Sequence, residues 1–239
     1  MGVENHKAAS VTLLHPKSVE AKKEAIHALV SQASFFRLPE MDCLAYTYFQ
    51  PATRAKANLG MVPSDEKDTL VGVVQTFSSP KAVEQAGQYF KLKSPLTEKE
   101  DRTVWYPAAG FVARKGAKET PKAKIVMLAK FVSKETEGAR DKLVQVLGSF
   151  CNWVEDNEPT TLTYCVMTRP DAPNEVLLFE RYKDLGALGV HGKTKEFKAM
   201  FKGTGPFVQG RKTVLSEWEE LDDSFVSNDA GGAGLQPKL

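Results

Sequence analysis

Three side chains that can exchange protons lie between residues 180 and 191: Glu180, Tyr182 and His191. The first two belong to a short apolar run that begins at Val176, and the length and composition of this run are typical of a buried strand. Asp184 can cap a helix that follows, in which two leucines and His191 recur at three-residue steps on one face. The face of this helix that carries His191 would then pack on the sheet that contains Tyr182. We therefore expect Glu180, Tyr182 and His191 to be neighbours.

Each of these three residues has a catalytic and a structural interpretation. His191 can be a general base or hydrogen-bond donor facing a pocket between helix and sheet, because imidazole titrates near neutral pH. It can equally be a core or surface histidine whose ring is satisfied. Tyr182 can orient a substrate oxygen, or it can pack with its hydroxyl at the surface. Glu180 is costly in an apolar strand, so either its pKa is raised or it pairs with a cation such as Arg211.

Five further residues are candidates for the wall of a substrate pocket. Tyr164 and Tyr46 occupy equivalent positions on two predicted strands, and Trp105 and Trp153 can add aromatic surface. Arg181 lies on the strand face opposite to the catalytic candidates. All four aromatic residues can also be ordinary core.

The elements that must position these residues occur twice in the same order. The predicted elements are strand 10–15, helix 18–36, strands 43–50 and 70–77, helix 79–90 and strand 105–114, then strand 125–131, helix 136–155, strands 161–168 and 176–182, helix 184–201 and strand 213–219. Each half therefore reads βαββαβ, which is a ferredoxin-like unit. A single unit leaves one face of its sheet uncovered. The fold class we expect is α+β, with two ferredoxin-like repeats packed sheet to sheet as an intramolecular α/β barrel.

Composition gives the boundaries of the repeats. Residues 115–124 have linker composition, which places the first repeat at 1–114 and the second at 125–221. The tail, residues 222–239, is rich in glycine and polar residues, and we predict that it is poorly ordered. The polar segment 52–68 is predicted to be a long loop that could cover the pocket.

The two halves are unequal where chemistry is concerned. Where the second half has its three polar candidates, the first half has Gln75, Phe77 and Ala86, at a constant offset of 105 residues. Each polar group is thus lost or neutralised in the first half. We expect the second half to carry the site.

The residues of the second half resemble a known family. A strand with Glu180, Arg181 and an aromatic residue, an acidic cap, Ala187, His191 and then Phe197 are similar to the antibiotic biosynthesis monooxygenase (ABM) family of dimeric α/β barrels. The resemblance covers the second half well, and the first half only in the order of its elements and a few residues. It implies that the first repeat replaces the partner subunit of a family dimer, so the chain can be a monomer, with further self-association left open.

The resemblance also implies an activity. ABM proteins oxidise a small aromatic or enolisable substrate with O₂ and without flavin, metal or nicotinamide, because the deprotonated substrate itself supplies the electron. The protein then has to transfer a proton, stabilise an anion and exclude water. The expected function is a cofactor-independent monooxygenase of secondary metabolism. Its substrate would be a small lipophile, either a polyketide aromatic or an oxylipin such as a jasmonate-like acid.

Two other functions stay open. One is a non-catalytic small-molecule-binding or stress-related α/β barrel, since a fold does not imply a reaction. The other is the haem-degrading branch of the same superfamily, which this chain resembles less because that branch would need a tryptophan where Tyr182 stands.

Bulk composition excludes several classes of partner. The formal charge of +2 comes from 32 basic and 30 acidic residues, so neither a nucleic-acid nor a membrane partner is expected. Four histidines without a pair at ligand spacing predict no metal site. The three cysteines, Cys43, Cys151 and Cys165, lie apart in apolar segments, as reduced thiols do.

Localisation is predicted from the two ends of the chain. The start has no apolar signal sequence, and no apolar run approaches the ~20 residues of a membrane span, so we expect a cytoplasmic protein. The last residues, Pro237-Lys238-Leu239, match two of the three positions of the peroxisomal Ser-Lys-Leu signal, which leaves a peroxisomal location as the alternative.

Overall fold

The computed structural model describes residues 7–89, 99–114 and 119–227. The described strands are β1 (Ala8–His15), β2 (Cys43–Pro51), β3 (Val71–Phe77), β4 (Lys99–Phe111), β5 (Glu119–Thr120), β6 (Ile125–Val132), β7 (Thr161–Thr168), β8 (Glu175–Tyr182), β9 (Val214–Glu220) and β10 (Phe225–Ser227). The described α-helices are α1 (Val19–Phe36), α2 (Pro80–Tyr89), α3 (Ala139–Asn157), α4 (Leu185–His191) and α5 (Lys195–Thr204). Short 3₁₀ turns span Pro39–Met41 and Gly210–Lys212.

The eight long strands close into one antiparallel barrel. Their order is β3-β1-β4-β7-β8-β6-β9-β2, and β2 pairs again with β3. The halves meet at two seams, where β4 pairs with β7 and β2 pairs with β9. Strand β10 pairs with β2, and β5 pairs with β10. Two βαββαβ repeats thus form one α+β barrel within a single chain, and this prediction is confirmed.

Side chains alternate between the barrel interior and the helices outside it. The interior is packed with apolar side chains from both halves, among them Phe49, Phe179 and Trp218. Outside, α1 and α2 cover the strands of the first half, and α3 and α4 cover those of the second. Strands β7 and β8 are buried on both faces, so neither shows a regular alternation of apolar and exposed polar residues.

Strand β4 is longer than its sequence suggests. The prediction began at residue 105, whereas the strand begins at Lys99 and pairs along the whole of β1, from Ala9 opposite Trp105 to His15 opposite Lys99. The polar run before Trp105 has no strand pattern of its own. Pairing with a complete neighbour overrides that composition.

The helix predicted over 184–201 is wrong, because two helices occupy this segment. Asp184 caps α4 by accepting from the backbone nitrogen of Ala187 at 2.9 Å. The first helix ends at His191, and Thr194 then caps α5 by accepting from the backbone nitrogen of Phe197 at 3.1 Å. Because the N-cap residue Thr194 has an extended backbone, a helix cannot continue through it. His191 is therefore the last residue of a short helix.

The tail differs from its prediction at its start. Residues 225–227 form β10, and Phe225 is buried, with its ring centroid 6.1 Å from that of Tyr46. A buried aromatic anchor orders this part of the tail. Residues 115–118 of the predicted linker, residue 90 of the predicted helix and residues 228–239, including Pro237-Lys238-Leu239, lie outside the described residues. No helix in the described ranges is long and apolar enough to span a membrane.

The long loop joins the first half to the second. Leu59 forms a bridge with Ser216, and the backbone nitrogen of Gly60 donates to the carbonyl of Leu215 at 3.0 Å. Arg54 makes a bidentate ion pair with the buried carboxylate of Glu217. The loop thus covers β9.

Candidate functional site

A cavity of about 180 Å³ lies between the sheet of the second half and helices α4 and α5. Its wall is mainly apolar and comes from β6, β8, β9 and both helices. Four side chains with polar atoms also line it: Tyr164, Glu180, His191 and Thr213. Three of these four are residues that the sequence singled out. A largely apolar cavity with a few convergent polar groups is the usual form of a small-molecule site.

His191 is fixed in this cavity by an aromatic cluster. Its side chain is buried, and its ring centroid lies 4.9 Å from that of Phe197, 5.3 Å from Tyr182 and 5.4 Å from Tyr164. The position follows from the sequence, because the three-residue steps of α4 place this residue on the face that packs on β8. The prediction that His191 lies beside Tyr182 and Glu180 agrees with this geometry.

The orientation of the imidazole is set by Glu158, which the sequence analysis missed. Nδ1 of His191 lies 2.7 Å from Oε2 of Glu158, and the same oxygen accepts from Oγ1 of Thr161 at 2.8 Å. A carboxylate can only accept, so Nδ1 carries the hydrogen and Nε2 has the free lone pair. Nε2 has no hydrogen-bond partner among the described residues. Nε2 is therefore the unpaired nitrogen of an imidazole that belongs to the cavity wall.

Glu158 is held by the first half of the barrel. It follows the last residue of α3, and Arg114 donates to its carbonyl oxygen at 3.0 Å and to that of Thr161 at 2.7 Å. Arg114 comes just after β4, the strand at the seam between the halves. A carboxylate at a helix C-terminus is electrostatically unfavourable, and this was the one sequence signal that could have drawn attention to Glu158.

Glu180 and Tyr182 form a buried hydrogen-bonded pair. The Tyr182 hydroxyl donates to Oε2 of Glu180 at 2.5 Å. Burial raises the pKa of Glu180, although the nearby His191 and the hydrogen bond from Tyr182 act against this rise. Burial also raises the pKa of the Tyr182 hydroxyl well above its ordinary value. We expected Glu180 either to pair with a cation such as Arg211 or to have a raised pKa. Among the described residues it forms no ion pair with a lysine or arginine, and its pKa is raised.

Two hydroxyl groups in the cavity wall also lack a partner. Neither the Tyr164 hydroxyl nor Oγ1 of Thr213 has a hydrogen-bond partner within the described part of the chain. Tyr164 is fully buried, and burial raises the pKa of its hydroxyl well above the ordinary value. Buried polar groups are normally paired. Together with Nε2 of His191, these atoms are suited to a ligand that carries oxygen groups on an apolar body.

The other predicted wall residues lie elsewhere. Arg181 is fully buried on the opposite face of β8 and forms a bidentate pair with Glu220, at 2.9 Å for each contact. Tyr46 is core of the first half, with its hydroxyl donating to the Leu29 carbonyl at 3.3 Å. Trp153, on α3, stacks on Phe150 with ring centroids 5.7 Å apart. Trp105 lines a second cavity, of about 140 Å³, whose wall comes from both halves of the barrel. The structure does not bring these four residues to the cavity of His191.

The long loop also stays outside this cavity. Its contacts are with β9, with His15 of β1 and with Lys22 of α1, and its residue Met61 lines the second cavity. Arg54 forms an ion pair with Glu217 of β9. In the sheet, Glu217 lies opposite Met127 of β6, and Met127 lies opposite Glu180 of β8. No residue of the loop is among those that line the cavity of His191. The expectation that it covers the pocket is wrong.

The sequence of the second half decides the family. Residues 127–203 match the family described as antibiotic biosynthesis monooxygenase. The second half is an ABM domain. The matched range contains Glu158, Tyr164, Glu180, Tyr182 and His191, so these polar residues all belong to the ABM domain.

Solved structures resemble the complete two-repeat chain. A candidate monooxygenase from Lactobacillus acidophilus NCFM superposes with a TM-score of 0.75 at 14% identity, covering 98% of this chain and 99% of that one. A candidate monooxygenase from Fusobacterium nucleatum gives a TM-score of 0.69 at 18% identity, with 98% of each chain covered. An anthrone oxidase-like protein gives 0.59 at 12% identity, covering 100% of this chain and 99% of that one. At these identities the likeness shows a shared fold. No curated protein matches the sequence of this chain.

Proposed function

We propose that the ABM domain is a monooxygenase, in which His191 deprotonates a small, largely apolar substrate and O₂ oxidises the resulting anion. The observation that carries this proposal is the state of the imidazole. Its Nδ1 is held by Glu158 at 2.7 Å, while its Nε2 is buried in the wall of an apolar cavity and has no partner among the described residues. A general base has to sit within hydrogen-bond reach of the proton that it removes, and this nitrogen is placed to do so.

The first step is proton transfer. A substrate with an activated CH₂ group, R₂CH₂, gives a proton to Nε2 of His191 and becomes the carbanion R₂CH⁻. Glu158 stabilises the imidazolium that forms, because its carboxylate accepts the Nδ1 hydrogen. The unpaired Tyr164 hydroxyl supports the delocalised negative charge on a substrate oxygen by donating a hydrogen bond.

The second step is oxidation by O₂. The carbanion transfers one electron to O₂, and the two radicals combine to form a C–O bond, giving a peroxide. The imidazolium returns its proton to the peroxide anion, which gives the hydroperoxide R₂CHOOH and restores the neutral imidazole. The imidazole then removes the remaining C–H hydrogen as a proton while the O–O bond breaks, and the departing hydroxide takes this proton and leaves as water. The balance is R₂CH₂ + O₂ → R₂C=O + H₂O. Both electron pairs come from the substrate, so the proposal needs no redox cofactor.

Glu180 and Tyr182 keep the cavity free of a fixed negative charge. Because burial raises the pKa of Glu180, the pair resists ionisation beside the substrate. An ionised carboxylate at this position would repel the substrate anion. With this pair neutral, the substrate anion would lie beside the protonated His191 without repulsion from Glu180. The pair would therefore favour proton removal.

The cavity wall suggests the substrate class. Apart from its four polar residues the wall is apolar, which suits a polyketide aromatic or an oxylipin. Anthrones and phenols come first, because they yield resonance-stabilised anions and one structural neighbour is an anthrone oxidase-like protein. In this proposal the first repeat takes the place of a partner subunit, supplying Arg114 behind Glu158.

Oxygen uptake tests the proposal. The protein, treated with a chelator and free of flavin absorbance, is mixed with anthrone and a panel of phenols and oxylipins under ¹⁸O₂. We expect uptake, a product that contains one ¹⁸O atom, and a loss of turnover on the order of 100-fold or more in His191→Ala. The control is His27→Ala, which removes an exposed histidine of α1 and should leave turnover unchanged.

Three results would each overturn the proposal. Undiminished turnover in His191→Ala would remove the proposed base. Ligands that raise the melting temperature without any oxygen uptake would favour a binding protein. A Soret band with haemin, followed by haem loss, would favour the haem-degrading alternative.

A further inference from the structure

The exposed face of α4 carries no charged side chain. Its solvent-facing residues are Leu185, Gly186, Gly189 and Val190, and the two larger ones are 50% and 63% exposed. A helix on the surface of a soluble protein normally presents polar and charged residues to water. This uncharged face is therefore unusual for a surface helix.

A third exposed apolar side chain lies at the cavity itself. Phe201 of α5 is 64% exposed, yet it lines the cavity of His191 and packs against Phe197, with ring centroids 6.3 Å apart. Leu188 of α4 lines the same cavity. The same two short helices thus carry the exposed apolar residues and part of the wall of an apolar cavity, in which the buried His191 and Tyr164 have unpaired polar atoms.

Basic residues border this apolar surface. Residues 183–212 carry seven basic and two acidic side chains, a net charge of +5, so the rest of the chain is net negative against a total of +2. Both acidic groups are engaged locally, since Asp184 caps α4 and Glu196 lies 3.7 Å from Lys195. All seven basic residues are exposed. The positive charge is therefore concentrated in the segment that contains α4 and α5, which also form part of the cavity wall.

On α5 the basic and apolar residues are neighbours. Lys198 lies one turn before Phe201 and Lys202, and Lys195 lies one turn before Lys198, so the three lysines form a row beside the exposed ring. Apolar side chains bordered by lysines are the usual composition of surfaces that bind the interface of an anionic bilayer.

We propose that this surface, formed by α4 and α5, docks on an anionic lipid bilayer, and that the cavity of His191 takes its substrate from that bilayer. The substrate would then be a membrane-dissolved lipophile. This second part rests on the proposed function, whereas the docking does not. The near-neutral charge of the whole chain had predicted no membrane partner, but it hid a positive surface balanced by negative charge elsewhere.

Vesicle flotation tests the docking. The full chain is mixed with vesicles of phosphatidylcholine alone or with about one third phosphatidylserine, at low salt and at 0.5 M NaCl. We expect binding to the anionic vesicles only, and weaker binding at high salt because the charges are exposed. The variant Lys195→Glu/Lys198→Glu/Lys202→Glu should bind at least tenfold more weakly, and Leu185→Ser/Val190→Ser should weaken binding at both salt concentrations.

The matched control makes the same change of charge on the first half. Lys17→Glu/Lys23→Glu/Lys81→Glu replaces three exposed lysines and should retain most of the binding. Equal losses in both triple variants would overturn the docking surface, as would a wild-type chain that ignores anionic vesicles. Binding to RNA or heparin in place of vesicles would assign the charge to another polyanion and would also overturn it.

Turnover separates this inference from the proposed function. With a substrate in solution, the α5 lysine variant should turn over like the wild type. With the same substrate dissolved in anionic vesicles, it should be slower by the factor by which its binding falls. Equal rates from vesicles would overturn delivery from the bilayer, whereas no turnover with any substrate would count against the proposed function and leave the docking result standing.

Discussion

The two halves of the barrel use the same helix-on-sheet layer in different ways. In the first half the layer is filled by aromatic rings: Phe36 stacks on Tyr46 at 5.1 Å between centroids and contacts Phe77 edge-on at 6.2 Å, above a buried Ala86. In the second half the corresponding layer contains the cavity of about 180 Å³ with His191 in its wall. The difference is one of side-chain size as well as polarity.

Tyr46 and Tyr164 show the difference most directly. They occupy the same strand position in the two repeats, 118 residues apart. The Tyr46 hydroxyl donates to the carbonyl of Leu29, whereas that of Tyr164 has no described partner and faces the cavity. Glu40 stands at the same offset from Glu158, but it is exposed and there is no histidine at position 86 for it to orient. The first repeat keeps the fold without the proton-transfer groups.

After His191 itself, Glu158 is the residue whose substitution we expect to lower kcat most. Glu158→Gln keeps the side-chain shape but cannot stabilise an imidazolium, and Glu158→Ala removes the contact. We expect kcat to fall by about 10-fold in the first variant and up to about 100-fold in the second, with little change in KM, because the imidazole loses its orientation and not its contact with substrate.

Steady-state kinetics with the substrate found by oxygen uptake measures this effect. Asp156→Asn, an exposed carboxylate two residues away, is the control and should not change kcat. If Glu158→Ala loses stability but keeps kcat, then Glu158 supports the fold only, and the comparison between the repeats rests on His191 alone.

Placing a histidine in the first repeat should damage the fold without creating a site. Ala86 is a fully buried residue of α2, and it belongs to a core cluster that contains several aromatic side chains. Ala86→His would overpack this layer, at a cost of about 1–3 kcal/mol in the free energy of unfolding. Chemical denaturation measures the cost, and Gln88→His, at an exposed position on the same helix, is the control. A stable Ala86→His protein with added turnover would mean that the two layers differ only in polarity.

The sequence predicts the fold better than it predicts the site. The order of elements, the duplication and the meeting of Glu180, Tyr182 and His191 all follow from periodicity, because one strand and one adjoining helix contain these three residues. Glu158 does not follow, since it comes from the end of another helix and meets His191 only after α3 has packed on the sheet.

The wall residues were harder to assign for the same reason. Arg181, Trp105 and Tyr46 have suitable chemistry, but which layer of the barrel a side chain occupies depends on strand register and on how the two sheets close. The extent of β4 also depends on its partner, because its polar first residues form a strand by pairing with β1. Local patterns do not contain this information.

The smallest effect that we expect concerns one position at which the two halves differ. The second half has the carboxyl group of Glu180 there, and the first half has the amide of Gln75. Burial raises the pKa of Glu180 above its ordinary value of 4.5. The native state therefore keeps this proton at pH values where the unfolded chain has released it, so the free energy of unfolding falls as pH rises from about 4.5 and levels off above the raised pKa. In Glu180→Gln this loss should be absent.

The difference in stability between Glu180→Gln and the wild type should thus be small near pH 4 and grow as pH rises. The neighbouring His191, Tyr182 and Glu158 are present in both proteins, so their own titration largely cancels in this difference. Gln75→Glu is the reciprocal variant, and it should lose stability relative to the wild type as pH rises, because Gln75 is fully buried and its described hydrogen-bond partner is the Ser10 hydroxyl. Urea denaturation between pH 4 and 8 measures both curves. If both variants run parallel to the wild type, then Glu180 is ionised in the native protein, and the cavity holds a fixed negative charge that the proposed proton transfer would have to overcome.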